Sequence, residues 1–335
     1  MSVAVIGYGL IGPSHVRAIV DPIAEGAAAS AAEEYGVPHF RSIEALLASP
    51  ASTPDAAVIC TPNSTHAEVA TQLSNAGVHL LIEKPLCTST AEGEKLLETL
   101  QRIKANHGVE ALVGHHRRFN PYTTAAAHAL RSGSLGRLLA VNGLWTTYKP
   151  ADYFAGPRNA WRTAGATAGP VYINLVHDVD LLHFLVGSPV EKVQSEALPP
   201  TREGHEAEAG AALTSRFRSG VVATFLLADN TPSPYGFEAG TGENAYIAKS
   251  GQDFYRLFGT RASLSLPDLT RWSYDGQQRE SWTEPMTIDR LKVQDDAVPF
   301  DLQMAHFVQV IRGKEMPSCG PSAGLAALAI CEAVK

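Results

Sequence analysis

Val3-Ala4-Val5-Ile6-Gly7-Tyr8-Gly9-Leu10-Ile11-Gly12 stands almost at the start of the chain. Its first four residues are apolar and mostly β-branched, which predicts a buried strand. A Gly-x-Gly-x-x-Gly pattern follows without a gap. Gly7 permits a tight turn, Gly9 lets the backbone approach a pyrophosphate, and Gly12 lets a following helix pack closely. Six residues alone are a weak signal. Placed directly after a strand, Gly7, Tyr8, Gly9, Leu10, Ile11 and Gly12 predict a dinucleotide-binding loop, against the blander reading of a glycine-rich turn without ligand.

The same reading asks for an acidic residue at the end of the second strand, where it would hold the ribose hydroxyls. Asp21 is the candidate. It lies nine positions past Gly12 (21 − 12), too close for both a helix and a strand, because a full crossover needs at least about 10–12 residues. With Pro22 and Ile23 next and no arginine beside it, Asp21 favours NAD over NADP as the cofactor.

Further along, short apolar runs alternate with helical patterns. Val3–Ile6, Ala56–Cys60, His79–Ile82 and Ala111–Gly114 read as strands, and Glu25–Tyr35, Ser42–Ala48, Ser64–Ala76 and Ser89–Ala105 as helices. This alternation predicts a parallel sheet with helices on both faces, an α/β Rossmann-type domain over residues 1–119. From residue 120 to 335 the texture changes. A helix at Tyr122–Arg131 precedes β-rich runs at Arg137–Tyr148, Val190–Glu196, Ala207–Arg216, Val221–Ala228 and Arg256–Leu266, with helices at Val171–Val186, Pro299–Arg312 and Ser322–Val334. These predict an α+β C-terminal domain with an open, mostly antiparallel sheet, read as the substrate-binding and oligomerisation half.

Composition narrows the function classes. Hydrophobic residues make up 45% of the 335 and charged residues 18%, enough for packed cores. A net charge of −7 argues against nucleic acid as a partner. No apolar run reaches the roughly 18 residues of a membrane span, and Met1–Ile6 lacks the basic leader of a signal peptide. Four cysteines, Cys60, Cys87, Cys319 and Cys331, lie far apart and read as free thiols of a reducing compartment, so a cytoplasmic location is expected. His115-His116-Arg117-Arg118 resembles a metal or phosphate cluster, but adjacent strand residues face opposite ways and no third ligand has metal spacing, so no metal is expected.

His79-Leu80-Leu81-Ile82-Glu83-Lys84-Pro85 puts Glu-Lys-Pro at a strand's carboxyl end, where α/β sheets bind ligands. Together with the N-terminal loop, Cys60-Thr61-Pro62-Asn63 followed by His66, Gly114–Pro121 and Gly169–Asp180, it resembles the Gfo/Idh/MocA oxidoreductase family, which includes glucose–fructose oxidoreductase and inositol dehydrogenase. The resemblance covers nearly the whole chain. It implies an NAD(P)-dependent oxidoreductase acting on a secondary alcohol or ketone of a sugar, polyol or cyclic hydroxy compound. It implies Thr61, Pro62, Asn63, His66, Glu83, Lys84 and Pro85 beside the cofactor, and a homodimer or homotetramer.

The resemblance also implies that Lys84 lies beside the substrate hydroxyl and that His177 exchanges a proton with the substrate oxygen. That pairing is chemically coherent: imidazole titrates near neutrality, and an ammonium stabilises developing negative charge. Many family members carry Asp four residues before this histidine. Here that position is Ile173, and Asn174, three before His177, is the nearest polar residue. Asn174 can orient a substrate or the imidazole but is no base. Arg118, Asp178 and Asp180 are further substrate-side candidates, as are Tyr148 of Tyr148-Lys149-Pro150 and Trp161 of Trp161-Arg162. Against the last two stands the plain reading of an exposed loop and a core tryptophan. The competing function is a non-catalytic, nucleotide-sensing or protein-binding relative of the same fold.

Overall fold

A computed structural model describes residues 1–7, 16–21, 26–49, 53–293 and 297–335. These form two compact units. The first contains residues 1–115 and 301–329, and the second residues 116–300 and 330–335.

In the first unit β1 (Val3–Ile6), β2 (Val16–Val20), β3 (His39–Phe40), β4 (Ala56–Ile59), β5 (His79–Ile82) and β6 (Ala111–Val113) form one sheet in the order β3-β2-β1-β4-β5-β6. Every neighbouring pair is parallel. This is the doubly wound order, with its topological switch between β1 and β4. The sequence predicts it well because β1, β4 and β6 are buried along their whole length, as a sheet covered on both faces requires. The helices are α1 (Ala27–Tyr35), α2 (Ile43–Leu47), α3 (His66–Asn75) and α4 (Thr90–His107). Ser42 caps α2 by accepting from the Ala45 N–H, and Ser89 caps α4 by accepting from Glu92.

The tight spacing before Asp21 resolves in favour of the strand. β2 ends at Val20 and pairs with β1, and the Asp21 N–H donates to the Phe40 carbonyl at 3.0 Å. Asp21 thus stands at the carboxyl end of β2. Residues 8–12 and 22–23 lie outside the described residues.

The second unit begins with α5 (Pro121–Arg131), which Asn120 caps by accepting from the Tyr122 N–H at 3.1 Å. β7 (Leu138–Thr146) follows. A π-helical turn, Val171–Leu175, then leads into α6 (Val176–Val186). Next come β8 (Val190–Leu198), β9 (Gly210–Phe217), β10 (Val222–Ala228), α7 (Phe237–Thr241), β11 (Tyr255–Gly259), β12 (Ala262–Leu266), β13 (Thr270–Ser273) and β14 (Thr287–Arg290). The eight strands form one sheet in the order β14-β13-β12-β11-β7-β10-β9-β8. It is mostly antiparallel, with β7 and β10 running parallel.

Two helices close the chain, α8 (Pro299–Ile311) and α9 (Pro321–Val334). Residues 301–329 belong to the first unit. Phe307 and Val310 of α8 are buried against Val3, Ala56, Val58, Leu81 and Leu112, so this helix covers one face of the parallel sheet. All four cysteines are free thiols. Among the described residues, no helix is long and apolar enough to cross a membrane.

Candidate active site

The first unit collects its candidate residues along the carboxyl ends of its strands. Gly7 ends β1 with φ +79°, and a Cβ there would lie 2.9 Å from the backbone of Cys60 and Thr61. Only glycine lets β1 and β4 end so close together at the switch point. Thr61 and Pro62 follow β4 and lead into a 3-10 turn at Asn63–Thr65. His66 is buried, with Nδ1 2.8 Å from the Pro85 carbonyl and Nε2 2.9 Å from the Thr61 carbonyl. It ties the loop after β4 to the loop after β5. Burial pushes its pKa below the ordinary value, although both carbonyls favour the charged ring. Glu83 and Lys84 directly follow β5, and the Lys84–Pro85 peptide is cis.

A Rossmann crevice needs three things here: a strand order that reverses, a tight glycine turn beside the reversal, and a carboxylate at the end of β2. The described residues supply all three in the β1/β4 switch, Gly7 and Asp21. They fit a dinucleotide.

The second unit places His177 on α6, at 6% exposure. Its ring lies edge-on to His116, with centroids 5.7 Å apart. His116 is fixed in turn by Glu243 Oε1 at 2.9 Å and by stacking on Phe300 at 4.2 Å. Three residues before His177, the Asn174 Oδ1 accepts from Lys149 Nζ at 2.7 Å. That bond fixes the amide, so Asn174 has its N–H groups to offer.

Lys149 is itself only 8% exposed. Its ammonium also lies 3.3 Å from Asp229 Oδ2, over the faces of Trp145 and Tyr153. Burial pulls its pKa from 10.5 down to about 8, against the pull of Asp229.

The other substrate-side candidates divide. Arg118 and Asp180 bind one another: Nε donates to Oδ2 at 2.8 Å and NH2 to Oδ1 at 2.5 Å, with both side chains buried. Asp178 is fully buried and accepts from the Tyr255 hydroxyl at 2.6 Å, with Arg117 NH1 at 3.7 Å. Burial pushes its carboxyl up to about 7 against Arg117 and Tyr255. The geometry gives Arg118, Asp178 and Asp180 a structural part, holding α6 to the turn at His116–Phe119 and to β11.

Tyr148 is 59% exposed and Trp161 44% exposed. In each of those two motifs it is the basic neighbour, Lys149 or Arg162, that makes the side-chain hydrogen bonds. Arg202 and Asp229 belong to the same cluster, joined at 2.6 Å, and no sequence motif marks either.

Fold and site define a dinucleotide-binding Rossmann unit accompanied by an open-sheet α/β unit, the plan of a nicotinamide oxidoreductase. A profile of the oxidoreductase family's NAD-binding Rossmann fold matches residues 1–111, and the profile of its C-terminal alpha/beta domain matches residues 127–335. The chain belongs to the Gfo/Idh/MocA oxidoreductase family.

Inositol 2-dehydrogenase from Corynebacterium glutamicum is 28% identical over 206 residues, which are 58% of this chain and 56% of that relative. The chain therefore spans little more than half the length of this relative. The WlbA dehydrogenase from Bordetella pertussis, solved in complex with NADH and UDP-GlcNAcA, superposes with a TM-score of 0.72 at 25% identity, covering 100% of this chain and 95% of its own. An oxidoreductase domain protein from Kribbella flavida gives 0.80 at 20% identity, covering 100% and 96%, and shows the shared fold.

Proposed function

We propose that the chain is an NAD(H)-dependent dehydrogenase or reductase, with NADP as the alternative cofactor. Its substrate is a secondary alcohol or ketone of a sugar, polyol or cyclic hydroxy compound. The observation that carries this reading is the alignment of Gly7, Asp21, Thr61 and Lys84 at the carboxyl ends of four strands of one doubly wound sheet.

The Asp21 carboxylate accepts from the ribose hydroxyls. The bound nicotinamide supplies the hydride acceptor or donor. The Lys84 ammonium stabilises negative charge developing on the substrate oxygen, and His177 takes or returns the hydroxyl proton. Asn174, with its carbonyl held by Lys149, orients the reacting group through its N–H donors. No carboxylate stands four residues before His177; Ile173 holds that place.

The test is Lys84→Ala in the full chain. NADH titration followed by fluorescence should remain saturable, while turnover of polyols and their ketones falls by at least 10²-fold, the low end for losing one electrostatic or acid–base group. Unchanged turnover would sink the assignment. Saturable NADH binding with no turnover of any hydroxy compound by the parent chain would favour the nucleotide-sensing reading.

We further infer a homodimer or homotetramer built on the open sheet. Ile288, Trp272 and Phe258 are exposed and lie on one register line across β14, β13, β12 and β11. A line of large apolar side chains on an uncovered sheet face marks a docking surface.

A further inference from the structure

A crevice in the second unit has no part in the reaction above. Phe154, Arg162, Gly169, Pro170, Arg202 and Asp229 line it. Its position follows from the parallel pairing of β7 with β10, which ends the two strands side by side. The Lys149 N–H donates to the Asp229 carbonyl at 2.9 Å, and the Lys149 ammonium lies 3.3 Å from the Asp229 carboxylate. Arg202 reaches that carboxylate from the loop between β8 and β9, at 2.6 Å.

Arg162 comes from the 3-10 segment before the π-turn. Its NH1 donates to the Tyr153 carbonyl at 2.6 Å, and its guanidinium lies over the Tyr153 ring at 4.1 Å. Its buried Nε has no hydrogen-bond partner, and among the described residues no carboxylate pairs with it. Glu208, the crevice's other carboxylate, is engaged elsewhere. It lies 3.2 Å from Lys335 Nζ and accepts from the Val171 N–H at 3.2 Å.

Lys149 and Arg202 therefore share Asp229, and Arg162 adds a third positive charge with no carboxylate paired to it among the described residues. Such a surplus of partly desolvated positive charge is costly until an anion completes it, and guanidinium forks match planar or tetrahedral oxyanions. We infer that the crevice is an oxyanion subsite that takes a carboxylate or phosphate group carried by the substrate, with Arg162 as its principal donor. The inference rests on the proposed activity and narrows it to acidic hydroxy compounds. The subsite lies toward the start of the helix that carries His177, because Lys149 joins Asp229 to Asn174. Burial depresses the Lys149 pKa against Asp229 and Glu238, and Arg202 lowers it a little further.

Calorimetric titration of the full chain with glucuronate, glucose 6-phosphate and glucose tests this. At least one acidic probe should bind saturably and at least tenfold more tightly than glucose, and the stronger of the two identifies carboxylate or phosphate. Arg162→Gln should erase that preference, and Arg162→Lys should keep part of it. Equal binding of all three probes, saturation by neither acid, or an unchanged preference in Arg162→Gln would overturn the subsite. If Arg162→Gln fails to fold, the parent's acid-to-glucose ratio and the Arg162→Lys titration still decide. NADH titration of the same samples separates the two readings. Saturable NADH without acid preference removes the subsite alone, whereas acid preference without NADH binding removes the hydride-transfer reading alone.

Discussion

Asp180→Ala separates a structural from a substrate-side role for the Arg118–Asp180 pair. Asp180 is 1% exposed and takes two charge-assisted hydrogen bonds from Arg118, at 2.8 and 2.5 Å. Two buried ions gain little over a well-packed apolar pair, because desolvation offsets their attraction. Removing one partner is different, since it takes the carboxylate away from a buried guanidinium. Phe184, 5.3 Å from that guanidinium, offsets only about 0.5–2 kcal/mol of the loss. Asp180→Ala should therefore cost about 3–5 kcal/mol. For a unit of this size that is a thermal midpoint lower by about 6–20 °C, read by circular dichroism. Replacing both residues, Arg118→Met with Asp180→Leu, should recover most of the loss. An Asp180→Ala midpoint within about 1 kcal/mol of the parent, with a raised KM, would refute the pairing argument and return Asp180 to the substrate.

Lys149→Met should alter how stability depends on pH. The Lys149 pKa is about 8 in the fold and 10.5 as its ordinary value, so between those limits the unfolded chain binds more protons. Stability of the parent relative to Lys149→Met should therefore rise from pH about 8 to 10.5, as urea midpoints across that window would show; a flat difference contradicts it. Gly7→Ala forces a Cβ to 2.9 Å from the Cys60–Thr61 backbone at φ +79°. It should cost at least about 1–2 kcal/mol and weaken NADH binding, read by thermal melts and fluorescence titration. Phe258→Asp with Trp272→Asp should lower the mass measured by light scattering if the sheet face is the oligomer contact. An unchanged oligomer would place that contact elsewhere.

The parallel sheet was legible because its strands are buried on both faces, so Ala56–Ile59 and His79–Ile82 read as unbroken apolar runs. The edge of the second sheet was not. β13 and β14 have four residues each, and Thr287–Arg290 is mostly exposed, so neither leaves an apolar run to read. The positions of Lys84 and His177 follow from short motifs. The partners that hold the second site do not. Arg118 and Asp180 are 62 residues apart, and Lys149 meets Asp229 through the register of β7 on β10. Local spacing encodes neither. The sequence also draws attention to Tyr148 and Trp161 as substrate-side candidates, while the fold buries the neighbouring Lys149 and half-buries Arg162.

The seat of α8 on the parallel sheet has a consequence for synthesis. Val3, Val58, Leu81 and Leu112 reach their Phe307 and Val310 partners only after some 300 residues have been polymerised. Once Val113 completes the last strand, about 190 further residues precede Phe307, so at about 5–20 residues per second the nascent sheet waits roughly 10–40 s with that face open to water. During this interval the N-terminal half is a client for holdase chaperones. A ribosome stalled before residue 301 should present it in a protease-sensitive state that release of α8 converts to a resistant one.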